Sequence, residues 1–159
     1  MDSEQLVKAF TATVQASLHG LQTIEPVLRR EQDALTGRDP GALDQVVREK
    51  LELLKQIEHG IHARDRLQQT AGFGPGLEGG QQLVDAVNNA ALSRDWSMLV
   101  ELASQVAELN NYNGQLAVQG QRSTRMALGI LTGRNAQEDT YSTLRRKRGP
   151  AAGYNFGKA

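Results

Sequence analysis

Few residues in this chain have the chemistry to catalyse anything, and their spacing argues against it. His59 and His62 stand three apart on a helical stretch with Glu58 beside them, close enough in principle to share a metal ion. The stretch has no HExxH arrangement, and the chain has no cysteine to complete a site. Solvated helix histidines are the plainer reading of this pair and of His19. Gly72, Gly74 and Gly76 have the glycine density of a phosphate-cradling loop, but no strand precedes them and no Gly-Lys-Ser/Thr follows. They read as a turn. No serine nucleophile elbow is present, and no metal, cofactor or catalytic residue is expected.

A helical domain with histidines leaves a phosphorelay open as an alternative, alongside other helical signalling or adaptor modules. Phosphotransfer domains place His-x-x-Lys-Gly around the reacting residue. Here His59 is followed by Gly60-Ile61-His62-Ala63, and His62 by Ala63-Arg64-Asp65-Arg66. Neither fits. A further alternative is a coiled-coil module whose apolar stripe serves homo-oligomerisation.

The 159 residues suffice for one core and carry zero formal net charge, so nothing in the total suggests nucleic acid as a partner. The distribution is uneven. From Arg122 onward eight Lys/Arg face only Glu138 and Asp139, and the rest of the chain is acidic by the same margin. The Arg145-Arg146-Lys147-Arg148 cluster has neither a reading helix nor an aromatic platform beside it. Absence of cysteine excludes disulfides and fits a reducing compartment. The polar start Met1-Asp2-Ser3-Glu4-Gln5 is unlike a signal peptide, and no apolar run could cross a bilayer, so no stable membrane insertion and a cytoplasmic location are expected.

The elements that must position any site are helices. Aromatics are scarce (one Trp, three Tyr, three Phe), which leaves a Leu/Val/Ile/Ala core and favours an all-α fold. Leu6, Phe10, Val14, Leu18, Leu21, Ile24, Leu28 and Leu35 form a helical stripe from Ser3 to Thr36, with a kink or break expected at Pro26. Gly37 can end that helix, Asp39 can cap the next, and Pro40 can occupy its first position. The second stripe, from Leu43 to Leu67, then folds back as an antiparallel hairpin. Ala71 to Gly80 (AGFGPGLEGG) reads as a turn-rich loop with no regular element. A short helix follows, with Leu83, Val84, Val87 and Ala91 on one side. A last long helix, capped near Ser93-Arg94-Asp95, runs to Leu131 with Trp96 as a core anchor. The expected architecture is an elongated helical bundle over residues 1–133 and a basic, irregular tail over 134–159.

The stripe of the last helix is Trp96, Leu99, Leu102, Ala103, Val106, Leu109, Leu116, Ala127, Ile130 and Leu131. Between Leu109 and Ala127 its seam carries Asn110, Asn113, Gly114, Gly120, Ser123 and Thr124. Such residues make a poor dry core. Two readings stand: a loosely packed helix end, or a groove awaiting a partner.

Two stretches resemble the FlgN family of flagellar chaperones. One is Glu31-Gln32-Asp33-Ala34-Leu35 with Asp39, Leu43, Lys50, Leu53 and Leu54. The other is Leu109-Asn110-Asn111-Tyr112-Asn113-Gly114, continuing to Leu128-Gly129-Ile130-Leu131-Thr132-Gly133. The resemblance covers roughly residues 1–133. The tail departs from it, since Thr140-Tyr141-Ser142-Thr143 and a basic cluster stand where a Tyr-Gly pair is expected. The resemblance implies a non-enzymatic cytoplasmic protein that binds the C-terminal segments of the hook-filament junction proteins FlgK and FlgL. It also implies that these clients are kept from premature assembly and delivered to the type III export apparatus. An amphipathic client helix would lie against the last helix, with Leu116, Met126, Ile130 and Leu131 as apolar contacts and Asn110, Asn113 and Gly114 permitting close approach. Packing of Leu116 and Ile130 on the chain's own first two helices is the competing reading.

Overall fold

The computed structural model describes residues 2–131, with side chains described as far as Met126. Four α-helices follow one another: α1 Ser3–Gly37, α2 Pro40–Thr70, α3 Gly76–Val87 and α4 Ala90–Leu131. The described residues include no strand. The chain divides into two compact units, Met1–Ala117 and Val118–Ala159. The expected boundary at 133/134 falls outside the described residues.

α1 begins with a capping box in which the Asp2 carboxylate accepts from the Gln5 amide and the Gln5 side chain accepts from the Asp2 amide. The helix does not break at Pro26. A proline there removes one helical bond, and Ile24, Val27 and Leu28, all buried around it, supply packing that holds the turn. The exit differs slightly from the expectation. Gly37 stays helical, and Arg38 takes the left-handed conformation at φ 52°. Asp39 then caps α2 by accepting from the Ala42 amide at 3.0 Å, with Pro40 at the first helical position.

The resulting hairpin is antiparallel. Arg30 pairs with Glu49 and Glu31 with Lys50, while Gly20 faces Ile57 and Gly60 faces Ser17. α4 also lies on α1 but runs parallel to it. The Phe10 and Trp96 rings stand 6.0 Å apart near the start of both helices, and Asn113 reaches the Leu28 carbonyl much further along. Phe10, Val14, Leu18, Leu21, Ile24 and Leu28 thus share one core with Leu92, Trp96, Leu99 and Val106. Of the α2 residues, only Val46, Arg64 and Gln68 are buried.

The glycine-rich stretch is more ordered than its composition predicts, because α3 starts inside it, at Gly76. Gln68, fully buried, donates from Nε2 to the carbonyls of Gly74 (3.0 Å) and Gly76 (2.8 Å), and Asp65 accepts from the Gly76 amide (3.0 Å). Those bonds fix the turn through Gly72 and Gly76, whose φ values of +88° and +80° favour glycine. Glycine also permits contact further on. A Cβ on Gly79 would sit 1.8 Å from the Gly74 carbonyl oxygen, and one on Gly80 would sit 2.1 Å from the Trp96 ring. Two glycines inside α3 cost about 1 kcal/mol each in helix propensity, which close packing offsets, on the Gly74 backbone for Gly79 and on Trp96 for Gly80. Arg64 covers the same indole, its guanidinium carbon 5.4 Å from the ring centroid, and donates to Gln68 at 3.2 Å. Burial lowers the Arg64 pKa, and neighbouring Asp65 partly counters the shift.

α4 starts at Ala90, earlier than the expected Ser93-Arg94-Asp95 cap. Asn89 Oδ1 accepts from the Ala91 and Leu92 amides, both at 3.0 Å, while Asn88 ends α3 in the left-handed region. Ala91 accordingly belongs to α4 and not to the short helix. The helix continues through Gly114 and Gly120 without interruption.

Gly80→Ala is expected to lower the unfolding free energy by about 1–3 kcal/mol through overpacking against Trp96. Gly114→Ala, whose Cβ would meet nothing within 4 Å, is expected to raise it by up to about 1 kcal/mol. Urea unfolding followed by Trp96 fluorescence measures both.

Candidate functional site

Two parallel stripes run along α4. The inward one is Leu92, Trp96, Leu99, Ala103 and Val106, in alternating steps of four and three. All but half-buried Ala103 are buried against the rest of the core. In the same register the next two positions are Asn110 and Asn113, and the seam turns polar. Asn113 is 1% exposed, and its Nδ2 donates to the Leu28 carbonyl at 2.7 Å and to Glu31 Oε2 at 2.9 Å. The other oxygen of the Glu31 carboxylate accepts from Lys50 Nζ at 2.7 Å, and Lys50 also reaches Asn110 Oδ1 at 3.4 Å. One buried carboxylate therefore ties α1, α2 and α4 together. An apolar seam tolerates a slip of one turn at modest cost. Here a slip would strand a buried charge, so the tie fixes the register of α4.

The second stripe is Met98, Leu102, Gln105, Leu109, Tyr112 and Leu116, again in steps of four and three. Leu102, Leu109 and Leu116 are half-buried, whereas Met98 and Tyr112 are 52% and 49% exposed. Where this flank meets α1 there is an open groove of about 350 Å³, lined by Glu25, Arg29, Gln105, Glu108, Leu109 and Tyr112. Arg29 is held on the rim by two bonds to Glu25 Oε1, at 2.7 and 3.2 Å. Its lining combines the apolar Leu109 and Tyr112 with Gln105 and charges of both signs. Chemically this is a surface that can receive an amphipathic helix and perform no reaction.

The residues expected to contact a partner separate accordingly. Asn113 turns inward and is engaged by Leu28 and Glu31; Asn110 is half-buried beside Lys50. Gly114 is exposed with open space above it. Leu116 lies on the flank stripe. In the second unit Met126 is 70% exposed, and the side chains of Ile130 and Leu131 lie beyond those described. Met98, Gln105 and Tyr112, which were not among the expected contact residues, share this flank. Their four-three spacing with Leu102, Leu109 and Leu116 was the signal available.

His19, His59 and His62 are exposed, and His62 stands 3.8 Å from the Glu58 carboxylate one turn away. Among the described residues no group of three or more His, Cys, Asp or Glu side chains gathers as a metal site. None of the described helices is long and apolar enough to cross a membrane. The Arg145–Arg148 cluster and the tail over 134–159 lie outside the described residues.

Lys50→Met removes the cation from a Glu31 side chain that is only 7% exposed. The unfolding free energy is expected to fall by about 3 kcal/mol, since a buried carboxylate then loses its charge partner. The shift of the urea midpoint measures it.

Comparison with curated proteins and with solved structures returns no match. The family model described as FlgN protein matches residues 1–147, which includes both stripes of α4 and the hairpin that carries Glu31 and Lys50. With nearly the whole chain matched, the protein belongs to the FlgN family, whose members are flagellar chaperones and not enzymes.

Proposed function

We propose that this protein is a cytoplasmic export chaperone that binds the C-terminal segments of the junction proteins FlgK and FlgL through the flank stripe of α4. The observation that carries the reading is the second stripe itself. A helix whose first seam is already filled by α1 and α2 keeps an adjacent row, Leu102, Leu109, Tyr112 and Leu116, half-covered at most. A client segment folding as an amphipathic helix would set its apolar side chains into the groove beside Leu109 and Tyr112. Tyrosine suits the role, giving a large rigid contact with a polar tip that can stay wet. Covering the client in this way keeps a surface meant for filament contacts from assembling early, and release at the export apparatus requires no chemistry. Met126, Ile130 and Leu131 belong to this proposal as further apolar contacts, and Gly114 as a point of close approach. Asn110 and Asn113 act one step removed, by holding α4 in register.

Calorimetric titration with a peptide of the FlgK or FlgL C-terminal segment tests the assignment. A 1:1 complex is expected. Leu109→Glu and Tyr112→Ala should each weaken it at least about tenfold, the loss of roughly 1.4 kcal/mol; the urea midpoint should stay unchanged in Tyr112→Ala, whose side chain is half exposed, and fall in Leu109→Glu, because Leu109 also packs on the core. Wild-type affinity in both variants, or no binding of either client, contradicts the proposal.

A further inference from the structure

Asn113 is followed by Gly114, the one Asn-Gly pair in the chain. Asparagine is a thermolabile residue. Before glycine it is least protected, because no Cβ shields the next backbone nitrogen as that nitrogen approaches the side-chain amide. In the fold both reacting groups are engaged. Asn113 is 1% exposed, and its Nδ2 donates to the Leu28 carbonyl and to Glu31 Oε2. The Gly114 amide donates four residues back along α4, to the Asn110 carbonyl, and helical dihedrals hold its nitrogen away from Asn113 Cγ. The reaction therefore waits on opening of α4 at this point. Asn113 is also the last buried residue of α4 among those described. Beyond it Leu116 and Ala117 are half-buried and residues 118–126 are all exposed. Helices open first where buried contacts are few, and Gly114 and Gly120 lower helix propensity in the same stretch.

In the opened segment the Gly114 nitrogen gives its proton to solvent and bonds to Asn113 Cγ. The Cγ–Nδ2 bond breaks, and Nδ2 takes a proton and leaves as ammonia, which closes a five-membered imide. Water then cleaves one of the two ring bonds to nitrogen. Cleavage at Cγ gives aspartate; cleavage at the main-chain carbonyl gives isoaspartate, whose chain runs through Cβ. Water is consumed, ammonia is released, and nothing is oxidised or reduced. Neither product fits the docked helix. Aspartate puts an oxygen where Nδ2 stood, facing the Leu28 carbonyl at 2.7 Å and Glu31 Oε2 at 2.9 Å. Two hydrogen bonds become acceptor–acceptor contacts, and two carboxylates meet beside Lys50. Turning the side chain over brings no donor, since Asn113 Oδ1 is already buried without a hydrogen-bond partner. Isoaspartate lengthens the backbone and breaks the helix at that point. We infer that Asn113-Gly114 is a self-modification site gated by the Glu31 tie: opening of α4 permits deamidation, and deamidation makes the opening permanent. The inference stands apart from the client assignment.

Incubation of the full chain in mildly alkaline buffer, with conversion at residue 113 read by mass spectrometry of its proteolytic peptide, tests the inference. Conversion is expected at Asn113 and not at Asn88, Asn89, Asn110 or Asn111. The native rate should equal the rate in urea multiplied by the open fraction, which hydrogen exchange of the Gly114 amide reports. Lys50→Met should raise the native rate at least about tenfold by weakening the tie. Gly114→Ala should slow conversion even in urea, where helix stability plays no part. In converted wild-type protein, separated by its added negative charge, α4 amides between residues 106 and 117 should lose exchange protection while the α1–α2 hairpin keeps its own. A native rate more than about tenfold away from that product, in either direction, overturns the gate. Converted protein whose α4 amides stay protected overturns the permanence of the opening, and the inference with it.

Discussion

Three long helices meet at a single carboxylate. Glu31 of α1 accepts Lys50 from α2 on one oxygen and Asn113 from α4 on the other, and Asn113 uses its amide a second time on the backbone of α1. Burying an acid is costly in itself, and replacing such a group by apolar residues of similar volume often costs no stability. Its value lies in uniqueness. The apolar contacts from Phe10 and Trp96 along to Leu28 and Val106 would permit α4 to slide or turn by one step. The tie admits only one alignment, and that alignment decides which face of α4 is consumed by the fold and which is left over.

What is left over is the surface through which the proposed function would operate. A chaperone for polymerising subunits needs an apolar surface that a client helix can occupy and leave, with no reacting group. In the function proposed above, positions 98, 102, 105, 109, 112 and 116 would be that row, one step round the helix from the row that is spent on the core. At the opposite end of the bundle the Arg64, Gln68 and Trp96 cluster secures α3 and the start of α4. The first unit is thereby braced at both ends by buried polar groups, with an apolar core between them and open flanks outside.

Much of the hairpin was legible from sequence. Asp39-Pro40 is a start signal that works locally, through one side-chain bond and one pre-set dihedral, and it needs no knowledge of the rest of the fold. The tie was not legible, although Glu31, Lys50, Asn110 and Asn113 all stood among the residues that carried the family resemblance. Spacing assigns a residue to a face of its own helix and says nothing of what lies opposite. Asn113 in an apolar seam reads equally as a gap or as a fastening until Glu31, 82 residues away, is placed against it. The two rows on α4 were merged for a related reason. Leu102 and Ala103, or Leu109 and Asn110, are neighbours about 100° apart, and loose steps of three and four pass through both rows. The short helix carrying Leu83, Val84 and Val87 was legible, but its first turn, Gly76 to Gly80, read as loop because propensity was allowed to decide where local packing outweighs it.

The coupling between Glu31 and Asn113 tests the tie most directly. In a double-mutant cycle of Glu31→Ala and Asn113→Ala, followed by urea unfolding of the four proteins, the two losses should fall short of additivity by about 1 kcal/mol or more. Losses that add within about 0.5 kcal/mol would mean that the two residues act independently and that α4 takes its register from apolar packing alone.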